Sequence, residues 1–174
     1  MTRLPPLEPP YEPKVDDALR RLMGPVDAEP LHLFRTIAHH DVLLDRFRQI
    51  GSSLLSFGRL PDDEREVVIL RTTARCGAAY EWGVHKAVFQ SDADADALWR
   101  GDVPEGRHGV LARMCDELHD TATISDELWS ELRAGWPDDQ LIELVCLAGF
   151  YHLVSYACNA FAVEPEPWAA QPPA

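Results

Sequence analysis

Residues 75–85 read Arg-Cys-Gly-Ala-Ala-Tyr-Glu-Trp-Gly-Val-His, and this stretch says most about the fold and the chemistry of the chain. Glu81 and His85 lie four positions apart, which is about one turn of an α-helix. In a helix the two side chains project from one face and can share a proton or a substrate atom. The neighbouring positions are mostly apolar, so the stretch predicts a core helix that carries a candidate active site.

The sequence on both sides of this stretch has helical periodicity. Proline, glycine and acidic residues mark the helix boundaries, and no run alternates with the period of a strand. We predict an all-α helical bundle forming one domain over residues 14–166, with a Pro-rich arm at 1–13 and a Pro-rich tail at 167–174. The predicted helices cover residues 14–23 (closed by Gly24-Pro25), 31–38, 41–58 (with Asp41 as cap), 61–75, 79–90, a short piece through Trp99 capped by Asp92 or Asp94, 107–121, 125–134 and 137–163.

The length and net charge of the chain argue against several classes of protein. A chain of 174 residues can form its own core without disulfides or a structural metal. The formal net charge of −13 argues against nucleic acid and anionic membranes as partners, because both require a positive protein surface. The N-terminal residues contain no apolar segment of the kind a secretory signal needs. We expect a cytoplasmic protein.

Residues 144–163 contain no charged side chain over about the length that spans a bilayer. Acidic residues flank this segment on both sides, no Lys or Arg anchors it, and polar residues interrupt it. We therefore predict a central helix of the bundle, buried on most sides by its own chain or by a second subunit.

Three polar residues are predicted to converge beside this core. On a helical wheel Glu81 and His85 fall between two apolar sides, one of them formed by Tyr80, Val84, Ala87 and Val88, while Lys86 and Gln90 face water. Glu66 shares the core-facing side of the preceding helix, and Arg65 points away. Buried ionisable groups need partners, so we predict a Glu66, His85 and Glu81 cluster in which two carboxylates raise the proton affinity of the imidazole.

Other candidate ligands give weaker signals. His152, Ser155, Tyr156 and Asn159 form a polar stripe at helical spacing, which could line a ligand cavity or lie along a subunit axis. Glu81 with His85, or Cys115 with His119, would supply two ligands where zinc needs three or four. The four cysteines include no Cys-x-x-Cys pair, so free buried thiols are the simplest interpretation. We predict neither a metal nor an organic cofactor.

The run Arg65-Glu66 through Leu70-Arg71, followed by Tyr80-Glu81-Trp82-x-x-His85, resembles the carboxymuconolactone decarboxylase superfamily, which includes the alkyl hydroperoxidase D-like proteins. Residues 33–39 and 60–61, and the closing segment 141–165, are also similar to this family, so the resemblance covers most of residues 30–166. It implies an all-α fold and a homo-oligomer, as a dimer, trimer or hexamer.

The central motif of the peroxidase branch is Cys-x-x-Cys-x-x-x-His, with a Glu one helix earlier that takes part in proton relay. By position the resemblance places that Glu at Glu66 and the His at His85, while the two cysteines fall on Ala78 and Glu81. A cycle of thiolate attack and disulfide resolution cannot run through these positions. The proton-handling half of the site remains.

The resemblance implies cofactor-free acid/base chemistry, namely decarboxylation, isomerisation or hydrolysis of a small carboxylated or lactone-like molecule. Arg71, Arg75 or a neighbouring subunit would have to supply a cation for a carboxylated substrate. Two alternatives stay open: a peroxidase-like antioxidant protein using Cys76 as its redox residue, and a non-catalytic oligomeric small-molecule binder. The predicted catalytic residues are Glu66, Glu81 and His85, and the predicted substrate-lining residues are Tyr80, Trp82, His152 and Tyr156.

Overall fold

The computed structural model describes residues 2–23, 28–88 and 93–174, and within these ranges it contains nine α-helices and no strand. The all-α prediction is confirmed. The helices are α1 (Pro13–Met23), α2 (His32–Ile37), α3 (Asp41–Leu55), α4 (Asp62–Arg75), α5 (Ala79–Val88), α6 (Ala95–Arg100), α7 (Gly106–Thr121), α8 (Asp126–Gly135) and α9 (Asp138–Phe161).

Local sequence signals set most of these boundaries. Pro61 precedes the first turn of α4, whose acidic residues complement the positive end of the helix dipole. Asp94 and Ser125 cap α6 and α8 by accepting backbone N–H groups of the first turn. The predicted cap of α3 is wrong by one position, because the ring of His40 accepts the Leu43 N–H and Asp41 is the first helical residue.

Some predicted boundary residues lie outside the described ranges. These are Gly24-Pro25 after α1, Phe89 and Gln90 after α5, and the alternative cap Asp92. Within α5, Ala87 and Val88 are exposed, so the predicted apolar side of this helix is buried only in its first two turns.

The core is centred on α4, which packs against α5, α6, α7 and α9. Its run Val67, Val68, Ile69 is fully buried because neighbours cover the helix on nearly every side. Burying each such side chain stabilises the fold by about 1.5–3 kcal/mol. A polar residue in the middle of α4 therefore faces another element rather than solvent, and this places Glu66 inside the bundle.

The apolar helix α9 lies beside α4. By length and composition α9 could cross a membrane, and 56% of its most apolar 18-residue window is buried within the chain. Leu144, Leu147 and Tyr151 form its buried face. The opposite face is exposed, with Ile142 at 67% and Leu153 at 50% of their full accessibility, so the single chain covers one side of this helix rather than most sides.

Both termini pack against the helices. The Leu7 N–H donates to the Arg35 carbonyl at 3.2 Å, which ties the N-terminal arm to α2. In the C-terminal tail the Ala170 N–H donates to the Gly83 carbonyl at 3.1 Å. Gly83 has no side chain to obstruct this contact, since a Cβ there would fall on the Ala170 carbonyl oxygen. The tail therefore lies directly over α5.

Candidate active site

A sharp turn between α4 and α5 positions two of the three predicted catalytic residues. Gly77 adopts a left-handed conformation with φ of +59°, which glycine tolerates without strain. The chain reverses there, and α5 returns against α4 with Glu81 and His85 one turn apart on its buried side. Glu66 faces them from α4.

The structure brings Glu66, Glu81 and His85 into one buried group. Oε2 of Glu66 lies 2.8 Å from Nδ1 of His85, and Oε1 of Glu81 lies 3.4 Å from Nε2. Their exposed fractions are 1%, 7% and 3%, respectively, so all three are removed from bulk water. Both ring nitrogens of the imidazole thus face a carboxylate.

This arrangement determines the charge on the imidazole. Burial by itself would lower the pKa of His85, but hydrogen bonds to Glu66 and Glu81 and their negative charges outweigh it and raise the pKa to about 9. His85 is therefore an imidazolium at neutral pH, and both of its N–H groups donate.

Arg65 completes the charge balance of the group. The prediction that Arg65 points away is wrong: its Nε lies 3.4 Å from Oε1 of Glu66, and its Nη1 donates to Asp62 at 2.8 Å. The long aliphatic stem lets the guanidinium fold back onto its own helix. Glu66 consequently lies between two cations, Arg65 on its own helix and His85 on α5.

Tyr151 of α9 is a fourth member of the group; it lies in the closing segment that resembles the family, but it was not among the predicted site residues. Its hydroxyl lies 2.9 Å from Nε2 of His85, and the two rings meet edge to face. Burial, followed by the charges of Glu81 and Glu66, raises the pKa of Tyr151 far above its ordinary value, so the hydroxyl stays neutral. Its position in the buried uncharged helix was the available signal.

The predicted substrate-lining residues on α5 have different surroundings. Trp82 is fully buried against Trp99, with ring centroids 5.3 Å apart, and its indole N–H has no hydrogen-bond partner among the described residues. Tyr80 donates its hydroxyl to Glu166 at 2.7 Å and accepts the Leu33 N–H at 3.2 Å. Tyr80 thus anchors the C-terminal tail beside the cluster.

The other two predicted lining residues lie elsewhere on α9. His152 contacts His119 of α7, with Nε2 of His152 3.1 Å from Nδ1 of His119. Tyr156 is 60% exposed and meets only the edge of His152 among the aromatic rings of the described chain. Neither has a hydrogen bond to the Glu66, Glu81 and His85 group among the contacts of the described residues.

Cys76, the candidate redox residue, also belongs to this second region. Its sulfur lies 3.9 Å from Nδ1 of His119. Burial raises the pKa of the Cys76 thiol, and the opposing influences of Ser155 and Arg75 are smaller. All four cysteines are free. Within the described chain, Cys76, His119 and His152 are the group whose ligand atoms could hold a metal ion, all lying within 4.8 Å of one another.

The predicted cations are already engaged. Arg71 makes a two-pronged contact with Asp116 at 2.8 and 2.7 Å and donates to the Leu98 carbonyl at 2.9 Å. Arg75 pairs with Asp120 at 2.5 Å and with Asp116 at 3.5 Å. Neither guanidinium is left to receive a substrate carboxylate without breaking an existing pair.

A separate open groove of about 460 Å³ lies between the N-terminal arm, α1 and the end of α2. Tyr11, Lys14 and Asp41 are among its lining residues, and no member of the His85 group is. It is therefore not the entrance to the buried cluster.

The fold is similar to that of solved proteins. An uncharacterized peroxidase-related protein from Silicibacter sp. TM1040 matches with a TM-score of 0.80 and 19% sequence identity, over 98% of this chain and 95% of that chain. An uncharacterized peroxidase-related protein from Ralstonia eutropha JMP134, described as an alkylhydroperoxidase AhpD core, matches with a TM-score of 0.77 and 17% identity over 94% and 93% of the chains. No family model and no curated protein matches the sequence.

A third solved protein with this fold is the debrominase Bmp8, with a TM-score of 0.72 and 12% identity over 96% of this chain and 94% of that chain. A cysteine-to-alanine variant of it has been solved in complex with 2,3,4-tribromopyrrole. These matches span nearly the whole of each chain, and they establish that this protein has the AhpD-like helical fold. The resemblance inferred from the sequence is confirmed at the level of the fold.

Proposed function

We propose that the protein catalyses cofactor-free proton transfer on a small carboxylated or lactone-like molecule, in a decarboxylation, isomerisation or hydrolysis. The observation that carries this proposal is the buried imidazolium of His85 between the carboxylates of Glu66 and Glu81. Such a group stores a proton where no bulk water competes for it, which is what general acid/base catalysis requires.

The three groups would have different roles. Glu81 is the most exposed of them, so it would exchange the proton with the substrate carbon. His85 would return a proton to Glu81 through Nε2, and Glu66 would hold the imidazole in its charged form through Nδ1. In a decarboxylation the carbon–carboxylate bond breaks, carbon dioxide leaves, and the electron pair of the broken bond forms a dienolate. Glu81 gives this dienolate the proton that it receives from Nε2 of His85, and His85 then regains a proton from solvent. In an isomerisation the same carboxylate removes a proton from one carbon and returns one to another.

The surroundings favour an oxygen-bearing, weakly charged substrate. The indole N–H of Trp82, which has no hydrogen-bond partner among the described residues, can donate to a carbonyl oxygen, and a buried donor left without a partner costs about 1–3 kcal/mol. Arg71 and Arg75 are already paired with Asp116 and Asp120. A lactone or other neutral carbonyl compound fits such a site better than a multiply charged carboxylate does.

The proposal is tested by measuring proton transfer directly. The purified full-length protein is incubated in deuterium oxide with a panel of unsaturated lactones and β-keto acids, and NMR follows deuterium incorporation and carbon dioxide release. We expect turnover in the wild type and a loss of about 100-fold or more in Glu81→Gln, because acid/base groups contribute about 10²–10⁴-fold. Turnover should also fall as the pH rises through about 9, where His85 loses its proton.

Matched controls separate chemistry from folding. Glu131→Gln removes a carboxylate that is exposed on α8 and paired with Arg113, and it should leave turnover unchanged. Circular dichroism checks that each variant keeps its helical content. A wild type with no exchange on any compound, or turnover that is unaltered in folded Glu81→Gln and His85→Gln, would refute the proposal and favour a non-catalytic small-molecule binder.

A peroxidase function is the second candidate, since two proteins of similar fold are described as peroxidase-related. It predicts thiol-dependent peroxide consumption that persists in Glu81→Gln and vanishes in Cys76→Ser. The raised thiol pKa of Cys76 opposes it, because the thiolate is the reactive form. The acid/base proposal predicts that Cys76→Ser leaves proton transfer intact.

We also propose that copies of the chain associate through the exposed face of α9. Ile142, Val145, Leu153 and Tyr156 lie along this face, and apolar side chains aligned on one helix typically mark an association surface. Light scattering after size exclusion should give a mass of two, three or six chains. Ile142→Asp with Leu153→Asp should shift the mass to that of one chain, whereas an unchanged mass would assign the interface to another surface.

A further inference from the structure

The second histidine-containing region has a geometry of its own. Three elements converge there: the end of α4 contributes Cys76, α7 contributes His119 and α9 contributes His152. The three side chains are half-buried, so solutes can reach them. None of them takes part in the His85 group, and the proposed proton transfer does not use them.

We propose that Cys76, His119 and His152 form a binding site for a borderline divalent transition cation, with Zn²⁺ as the reference ion. One thiolate and two imidazoles are ligands that zinc prefers, and three protein ligands leave one tetrahedral position for water or a small molecule. This site goes beyond the proposed proton-transfer function and does not depend on it.

The distances agree with such a site. Zinc bonds of about 2.3 Å to sulfur and about 2.0–2.1 Å to nitrogen place tetrahedral ligand atoms about 3.3 Å (N to N) and about 3.6 Å (N to S) apart. The structure has 3.1 Å between Nδ1 of His119 and Nε2 of His152, and 3.9 Å between Nδ1 of His119 and the Cys76 sulfur. These two distances lie within a few tenths of an ångström of the tetrahedral values, and all three ligand atoms lie within 4.8 Å of one another, so side-chain adjustments would bring them around one ion.

Supporting contacts orient two of the ligands. Nδ1 of His152 lies 2.8 Å from the Ala148 carbonyl, so this nitrogen donates and Nε2 is left with its lone pair. Asn159 donates to the Cys76 carbonyl at 2.8 Å, which fixes the backbone that carries the thiol. The polar stripe of α9 therefore lies beside Cys76 rather than beside the His85 group.

The local charge is compatible with a cation. Arg75 is the nearby positive group, and it is paired with Asp116 and Asp120. Binding would release the Cys76 thiol proton to solvent, so the bound site holds a thiolate beside the divalent ion. Metal binding would therefore convert the Cys76 thiol, which is a poor nucleophile while protonated, into a thiolate ligand.

The test uses the full chain freed of metal by chelation, with Co²⁺ as a spectroscopic probe and Zn²⁺ as competitor. We expect one Co²⁺ per chain with a thiolate-to-cobalt charge-transfer band in the near ultraviolet, which Zn²⁺ abolishes. Cations held by the acidic surface give no such band. The absence of this band in the wild type would overturn the proposal.

Variants assign the ligands. Cys76→Ser should abolish the band, and His119→Gln and His152→Gln should each weaken Zn²⁺ binding by at least the roughly 10- to 100-fold typical of lost supporting contacts. Cys146→Ser, an exposed thiol on α9, and His108→Gln, on α7, are the matched controls and should bind as the wild type does. If Cys76→Ser does not fold, the two histidine variants decide the question. A charge-transfer band that survives in Cys76→Ser, His119→Gln and His152→Gln would refute the assignment of these three residues as ligands.

Discussion

The two histidine groups of this protein show how differently one residue type behaves in two places. In the first, burial opposes the charge on His85, but two carboxylates overcome it and raise the pKa to about 9. In the second, burial lowers the pKa of His119, and the charge of Arg75 and the neighbouring ring of His152 lower it further, against the weaker influence of Asp120 and Asp116. One imidazole is held charged and the other neutral.

The difference follows from what faces each ring. A charged ring between carboxylates can give and regain protons, whereas a neutral ring beside a thiol offers a lone pair to a metal. Both groups include residues of α9 and of α4 or the residue that follows it, so the same pair of helices carries two sites of different chemistry.

Removing the carboxylate that faces Nδ1 of His85 should have the largest effect on stability. Glu66→Ala leaves a buried imidazolium without its main partner, and breaking such a pair costs about 3–5 kcal/mol. Urea unfolding of this variant beside Glu131→Gln, whose exposed pair with Arg113 contributes little to stability, measures the difference. Equal losses in both would show that His85 is not held by Glu66.

The pH dependence of stability should be next in size. Because the folded pKa of His85 lies above the unfolded value, its contribution is fully present below pH 6.5 and is lost as the pH rises from 6.5 through about 9. A shift of this size corresponds to about 3 kcal/mol. Urea unfolding across this range should show the decline in the wild type and a flatter profile in His85→Gln. A wild type that is equally stable at both ends would contradict the assignment.

The hydrogen bond from Tyr151 should matter less. Tyr151→Phe keeps the ring and removes the hydroxyl near Nε2, which should cost about 0.5–1.5 kcal/mol. Because Glu66 and Glu81 remain, the elevated pKa of His85 should persist in this variant. If the pKa of His85 fell to its ordinary value in Tyr151→Phe, the tyrosine rather than the two carboxylates would be the main cause of the elevated pKa.

The smallest effect should come from His119, and with the opposite sign. Its folded pKa lies below 6.5, so the neutral form is favoured in the folded state, and stability should fall as the pH drops below 6.5. His119→Gln should lose less stability than the wild type below pH 6.5, and its stability above pH 6.5 should vary with pH as in the wild type. If the variant instead lost more stability than the wild type at acid pH, His119 would have to be positively charged in the native protein.

Much of the fold and one of the two groups could be predicted from local signals. Pro61, Gly77 and the run after it place α4 and α5 correctly, and the position of Glu66 on the buried side of α4 predicts its meeting with His85. Tyr151 could not be singled out, because a tyrosine in an uncharged helix is usually core.

The thiol and imidazole group shows what sequence spacing misses. Cys115 and His119 are four residues apart and suggested a pair, yet Cys115 turns inward to the Val68 carbonyl at 3.7 Å. The pKa of its thiol rises to about 12, with burial as the main cause. His119 instead meets Cys76, which is 43 positions away. Only the packing of α7 against α4 brings those two together.

An NMR titration of the His85 ring nitrogens in the full-length protein tests directly whether this imidazole is held charged, with His85→Gln used to assign the signals. We predict a midpoint near pH 9 in the wild type and a clearly lower midpoint in Glu66→Gln, since the Glu66 hydrogen bond is the largest effect that raises this pKa. A wild-type midpoint at or below the ordinary value of 6.5 would mean that the imidazole is not held charged between the two carboxylates, and the proposed proton store would not exist.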